Sequence, residues 1–152
     1  MLYHLDFSTS YGQFYICDKD FEGDTGSDRF WTNDAFNDRL AIEDGVLGVG
    51  TECYGPVKGE LEILNISNEN INLDKYDHIV EAGIEIKSGI IQILDCPSSN
   101  VEFEIKVEPG IYRARIYSIN LNSVEGDEGD DYYCVEIWPD THMERKVLKR
   151  YI

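Results

Sequence analysis

Three features of the sequence predict a mainly β fold, an antiparallel β-sandwich of about eight or nine strands with one short helix near residues 33–43. Short apolar runs rich in β-branched and aromatic residues recur along the whole chain. Nearly every run is bounded by Gly, Pro, Asn or Asp, the residues that turn a chain sharply. Only one stretch leaves the two-residue period of a strand for the three-to-four-residue period of a helix. The 152 residues, 42% apolar with 6 Phe, 2 Trp and 10 Tyr, suffice for one core and read as a single domain, 1–152.

LYHLDF and GQFYIC read as the first two strands. In RFWTNDAFNDRLAIEDG the period changes: Trp31, Ala35, Phe36, Leu40 and Ile42 recur at helical spacing, Thr32 or Asn33 can accept the first free amides, and Gly45 can end the segment. Strand patterns resume in GVLGVGTEC, KGELEILN, HIVEAGIEIK and IIQILD. Gly48 and Gly50 lie within a strand pattern with no helix after them, which predicts close backbone packing rather than a phosphate cradle. VEFEIKVE is the clearest strand, with Val101, Phe103, Ile105 and Val107 alternating with charged residues. Pro109-Gly110 then predicts a hairpin into IYRARIYSI, and DYYCVEIW completes the series. The tail, HMERKVLKRYI, can hold another turn of helix, and its Arg145, Lys146, Lys149 and Arg150 could dock on an acidic body.

Thirty acids against 13 bases give a net charge of −17, and each third of the chain is net acidic. Such a field repels phosphate and anionic lipid and attracts cationic partners at salt-dependent rates, so direct nucleic-acid binding is not expected. The N-terminal stretch MLYHLDFSTSYGQF lacks a basic, then apolar, leader pattern, and no apolar run approaches a membrane span. The expectation is a cytoplasmic protein without membrane insertion. Cys17, Cys53, Cys96 and Cys134 are widely spaced, without C-x-x-C or a histidine at ligand spacing, and read as reduced, mostly buried thiols.

VEGDEGDDYY, residues 124–133, holds five carboxylates and two glycines with no base. It can be read as a calcium loop, a solvated hairpin loop, or a negative surface for a cationic partner. A helix-loop-helix calcium site needs carboxylates at alternating positions around a central glycine and a bidentate Glu at the end. The order Glu125, Gly126, Asp127, Glu128, Gly129, Asp130, Asp131 does not supply that, and no helix flanks it. No metal or cofactor is expected. A second acidic loop, CDKDFEGDTGSDRF, carries Asp18, Asp20, Glu22, Asp24 and Asp28. Placed at one end of the sandwich, the two loops would merge into a single patch; the sequence leaves their placement open.

Tyr11, Phe14, Tyr15, Phe30, Trp31 and Phe36 read most simply as core and helix-docking residues. Tyr132 and Tyr133 are consecutive in a strand, so one ring must turn to the second face, where a ring beside carboxylates suits a protein-recognition edge or a sugar-stacking platform. His4, His78 and His142 stand alone, without a nucleophile elbow or a metal helix, so no catalytic residue and no enzyme activity are expected.

SYGQFYICDKD, WTNDAF and EDG together resemble the competence protein J family, small acidic inhibitors of a partner DNA-entry nuclease. Ser10, Tyr11, Gln13 and Phe14, then Trp31, Thr32 and Ala35, then Asp44 and Gly45 follow the family's order and approximate spacing. Pro109 to Tyr112 and Asp131 to Ile137 have counterparts further on, but only the first 45 residues are distinctive, and both acidic loops are longer here. The resemblance implies inhibition by binding, with carboxylates taking the positions that DNA phosphates occupy in a cationic nuclease or toxin. The candidate partner-binding residues are Asp127, Glu128, Asp130, Asp131 and Tyr132, with Asp20, Glu22 and Asp24 as a second group. A calcium-dependent or carbohydrate-binding β-sandwich module is the alternative, and the oligomeric state stays open.

Overall fold

The computed structural model describes residues 1–152 and has two sheets, built by strands whose apolar positions decide which way each faces. One sheet holds six strands in the order β1 (Leu2–Ser8), β5 (Pro56–Ile63), β10 (Tyr132–Pro139), β9 (Gly110–Ile119), β6 (His78–Ile86) and β11 (Lys146–Lys149). The other holds five, in the order β3 (Leu40–Glu43), β4 (Val46–Gly50), β2 (Gln13–Asp18), β7 (Ile90–Leu94) and β8 (Val101–Lys106). Alternate residues such as Leu61, Ile84, Ile116 and Val135 of the first sheet meet Phe14, Ile16, Leu47 and Ile93 of the second in one cluster of 21 buried side chains. Pairing is antiparallel except between β5 and β10, which run parallel with Tyr133 opposite Gly59.

A smaller cluster forms on the outer face of the five-stranded sheet. There the segment after β2 folds back and presses Phe30, half-buried Trp31 and Ala35 onto Tyr15, Cys17 and Ala41. The rings lie so close to β4 that a methyl group on Gly48 would stand 2.8 Å from Phe30 Cζ, the close packing expected from its glycine. Three of the four unpaired cysteines, Cys17, Cys53 and Cys96, are buried, and Cys134 is half-buried. Burial and the neighbouring Asp18 push the Cys17 thiol up to about 12.

Three local expectations are corrected. The helix α1 spans only Asn33–Asp38, capped by the Thr32 hydroxyl, which accepts from the Ala35 amide at 3.1 Å. Arg39 leaves the helix at φ 62°, and Leu40–Glu43 becomes β3, hairpinned to β4 through Gly45 at φ 72°. Leu40 faces the main core while Ala41 faces the smaller one, so both sides are covered and alternation outweighs the helical spacing.

The Pro109-Gly110 turn is not a hairpin. It carries the chain from one sheet to the other, because β8 pairs with β7 while β9 pairs with β6 and β10. Every residue of β9 from Tyr112 to Ser118 is buried, which fits a central strand with neighbours on both sides.

The tail is strand rather than helix: β11 closes the edge of β6. It docks as its charge foretold, with Arg145 and Arg150 gripping Asp38 at 2.7 and 2.6 Å. No helix is long and apolar enough to cross a membrane.

Candidate functional site

Three connections meet at the end of the sandwich where β2 and β10 begin. The first is the tight turn Ser10-Tyr11-Gly12-Gln13, whose two central residues both adopt left-handed backbone, φ 62° and 61°. That is the geometry of a two-residue hairpin whose twist matches the flanking strands. The second is the β4–β5 loop: Gly12 donates its amide to the Tyr54 carbonyl at 3.0 Å, and Thr51 donates to the Gly12 carbonyl at 2.8 Å. The third is the acidic β9–β10 loop, where Glu125 and Glu128 close a turn and the Gly126 carbonyl accepts the Tyr54 amide at 3.3 Å.

Beneath them lies a buried anchor. The Tyr133 hydroxyl donates to Asp131 Oδ2 at 2.6 Å and accepts from the Glu52 amide at 2.8 Å, while the Cys53 amide donates to the same carboxylate oxygen at 3.2 Å. Burial, reinforced by the Asp131 carboxylate, pushes the Tyr133 hydroxyl far above the ordinary phenol range, so it stays a proton donor at every working pH.

The exposed surface over this anchor is aromatic as well as acidic. Tyr11, Tyr54 and Phe36 are 61%, 48% and 63% exposed. The Tyr11 and Tyr54 rings stand 5.8 Å apart at 71°. Trp31 and Phe36 form a second pair at 5.1 Å, and the Trp31 indole donates to Gln13 Oε1 at 2.6 Å. A groove lined by Tyr11, Trp31 and Phe36 also holds Arg39 and Glu52, an ion pair at 2.9 Å.

The candidate residues divide between this end and the other. Asp127, Glu128 and Asp130 are exposed here, with no cationic side chain paired to them. Asp131 is turned inward as the anchor just described. Tyr132 is half-buried on the opposite face of β10 from Tyr133; burial, and then Glu60 beside it, raise its hydroxyl pKa.

Asp20, Glu22 and Asp24 are exposed at the far end, since β2 runs the length of the sandwich from Gln13 to Asp18. Asp20 and Glu22 line a groove there with Asp18, Asp44, Glu85 and Lys87. The two acidic loops therefore do not merge. Asp18 is buried and accepts the Lys87 and Ser88 amides at 3.1 and 3.2 Å together with the Ser88 hydroxyl, which makes it a turn-former.

None of the three histidines lines either groove. His78 is buried between α1 and the tail: its Nδ1 accepts the Tyr151 amide at 3.0 Å, so Nε2 carries the proton that reaches the Asp38 carbonyl at 2.8 Å. No three His, Cys, Asp or Glu side chains converge into a set that could hold a metal ion.

Tyr11 and Phe36, expected as core and helix-docking residues, are exposed instead, and Tyr54 and Glu52 carry no motif in the sequence. A signal for Tyr11 was present: a residue directly before glycine between two strands sits at a turn tip, not in a core.

No family model matches the chain, and no curated protein sequence matches it. Solved structures do. The crystal structure of ComJ from Bacillus subtilis, described as an inhibitor of the DNA-degrading activity of NucA, superposes with a TM-score of 0.69 over 92% of this chain and 99% of that one. The chain has the fold of ComJ. At 17% identity the likeness is one of fold, and the resemblance read from the first 45 residues is met at that level. The product of crocagin biosynthetic gene J is similar too, with a TM-score of 0.54 and 17% identity over 93% of this chain and 98% of that one.

Proposed function

We propose that the chain is an inhibitor or immunity-like protein that binds and blocks a cationic nuclease or toxin domain in the cytoplasm, with no chemistry of its own. The observation that carries this reading is the end of the sandwich where unpaired Asp127, Glu128 and Asp130 stand beside exposed Tyr11 and Tyr54, on a fold that a nuclease inhibitor also has. The protein's own cations leave that charge free. Arg39, Arg113, Arg115, Arg145 and Arg150 are all engaged with Glu52, Glu81 or Asp38.

A nuclease holds phosphates with lysines, arginines or a metal ion, and carboxylates on a rigid loop can occupy the same positions. The rim charges speed the encounter, while rings buried at contact hold the complex.

The test is a DNA-cleavage assay with the cationic nuclease encoded nearest to this chain, and with NucA. Cleavage should fall to zero near equimolar inhibitor. The association rate should drop by about tenfold or more between low and physiological ionic strength, where the Debye length is about 8 Å. Full cleavage at a large excess of the chain with every cationic nuclease tried would remove the reading, and an association rate indifferent to salt would remove its electrostatic part.

A further inference from the structure

We propose that the corner formed by Tyr11 and Tyr54 is the seat for a single arginine side chain of the basic partner, with Asp127 as its counter-charge. This rests on the inhibitor reading and names the contact that gives it affinity.

The turn itself points to the first ring. Two successive left-handed residues are required between Ser10 and Gln13, and Asn, Asp or Gly adopt that backbone with least strain. Gly12 meets the requirement; Tyr11 is an uncommon choice, because a bulky side chain is disfavoured at positive φ. Core packing does not account for it, since the ring is 61% exposed and its aromatic neighbour, Tyr54, is itself 48% exposed. The side chain is thus needed neither for the turn nor for the core.

The geometry then limits what the rings can take. At 71° and 5.8 Å the rings pack edge to face, and their exposure leaves ring surface open to solvent, where a π face attracts a cation. Backbone hydrogen bonds hold the floor, from the Gly12 amide to the Tyr54 carbonyl and from the Tyr54 amide to the Gly126 carbonyl, so little further ordering is required on binding. Asp127 lies against the same loop: a methyl group on Gly55 would stand 3.8 Å from its Oδ1. An apolar side chain seated here would desolvate that carboxylate without pairing it, and an anion would be repelled. A planar guanidinium can stack on a ring and hydrogen-bond a carboxylate at once, which favours arginine over lysine.

The isotope-labelled chain is titrated with the tripeptide Gly-Arg-Gly, blocked at both ends, and followed by NMR, beside Gly-Lys-Gly and Gly-Ala-Gly. Shifts should concentrate on the amides of Gly12, Tyr54, Gly55 and Asp127, be weaker with lysine and be absent with alanine. Tyr11→Asn, which suits the turn, should weaken Gly-Arg-Gly binding by about two- to fivefold while the Tm holds or rises. Shifts spread equally over Asp20, Glu22 and Asp44, a response to the alanine peptide, or a Tm lowered by several degrees in Tyr11→Asn would each overturn the seat. The peptide needs no nuclease, so the two readings fail separately. A specific peptide site without nuclease inhibition sinks the function alone, and undiminished inhibition by Tyr11→Asn sinks the seat alone.

Discussion

The two ends of the sandwich carry similar charge and differ in what accompanies it. At the far end, Asp20 and Glu22 surround a groove that also contains Lys87, and the groove's one hydrophobic lining residue is Phe21. At the near end, Asp127, Glu128 and Asp130 stand beside exposed rings held by a hydrogen-bonded floor. Charge alone accelerates an encounter, and affinity needs anchors that can be desolvated. The difference between the ends is therefore a difference in kind: both can steer, and only one is equipped to hold.

Each end also contains a buried acid that is structural, and removing it gives the largest expected effects. Asp18→Ala leaves two backbone amides and the Ser88 hydroxyl without their acceptor, a loss of about 3 kcal/mol. Asp131→Ala strands the Tyr133 hydroxyl and the Cys53 amide, a loss of about 2 kcal/mol. Glu22→Ala and Asp127→Ala should stay within about 0.5 kcal/mol of the parent. Urea unfolding measures all four. Equal, small effects would erase the distinction between framework acids and displayed ones.

That distinction was only half legible in the sequence. Nine strands could be read because apolar runs and turn residues are local signals, and the Thr32 cap was equally local. Leu40 to Ile42 was misread because its spacing fits both periods, and only the second apolar layer over Ala41 decides between them. The Pro109-Gly110 turn announced a change of direction but carries no information about which sheet receives the chain. Asp131 and Asp127 look alike in VEGDEGDDYY. What separates them is a tyrosine hydroxyl and the Cys53 amide, 78 positions away from Asp131 in the chain. The placement of the loops at opposite ends depends on strand order, which no local pattern encodes.

A smaller effect, confined to the near end, comes from His78. It ties α1 to the tail, and the charged groups around it are Asp38, Arg39 and Arg150. Burial first, then the two guanidinium groups, hold its pKa below the ordinary histidine value, against the opposing pull of the Asp38 carbonyl and carboxylate. The unfolded chain takes up this proton near pH 6.5 and the folded chain resists it, so below that pH the unfolded state binds more protons and stability falls as pH falls. Above it the group contributes no slope. The loss is at most about 1.4 kcal/mol per pH unit and ends where the native ring itself protonates. The hydrogen-exchange protection factor of the Tyr151 amide should fall on acidification while those of the Lys87 and Ser88 amides at the far end hold, and His78→Gln should flatten the profile below about pH 6.5. Equal loosening at both ends would mean that the proton acts on the whole fold.

The smallest effects are the most discriminating, because they depend on distance. β2 has six residues, which at about 3.3 Å each span roughly 17 Å between the two ends that carry the acidic groups. That exceeds the Debye length of about 8 Å at physiological salt and falls well inside the value of about 30 Å at 0.01 M. If the partner lands on the near end, the triple variant Asp127→Asn, Glu128→Gln, Asp130→Asn should slow its association by about threefold at physiological salt and by more at low salt. The far triple, Asp20→Asn, Glu22→Gln, Asp44→Asn, should slow it by about twofold at low salt and leave it unchanged at physiological salt. Dissociation should be little altered by the far triple, since exposed rim charges act mainly on the encounter, and should quicken with the near triple, which removes the Asp127 counter-charge of the seat. Stopped-flow traces at two salt concentrations separate the cases. A far triple that still slows association under physiological screening would place the partner at both ends, and the division between a holding end and a steering end would not survive.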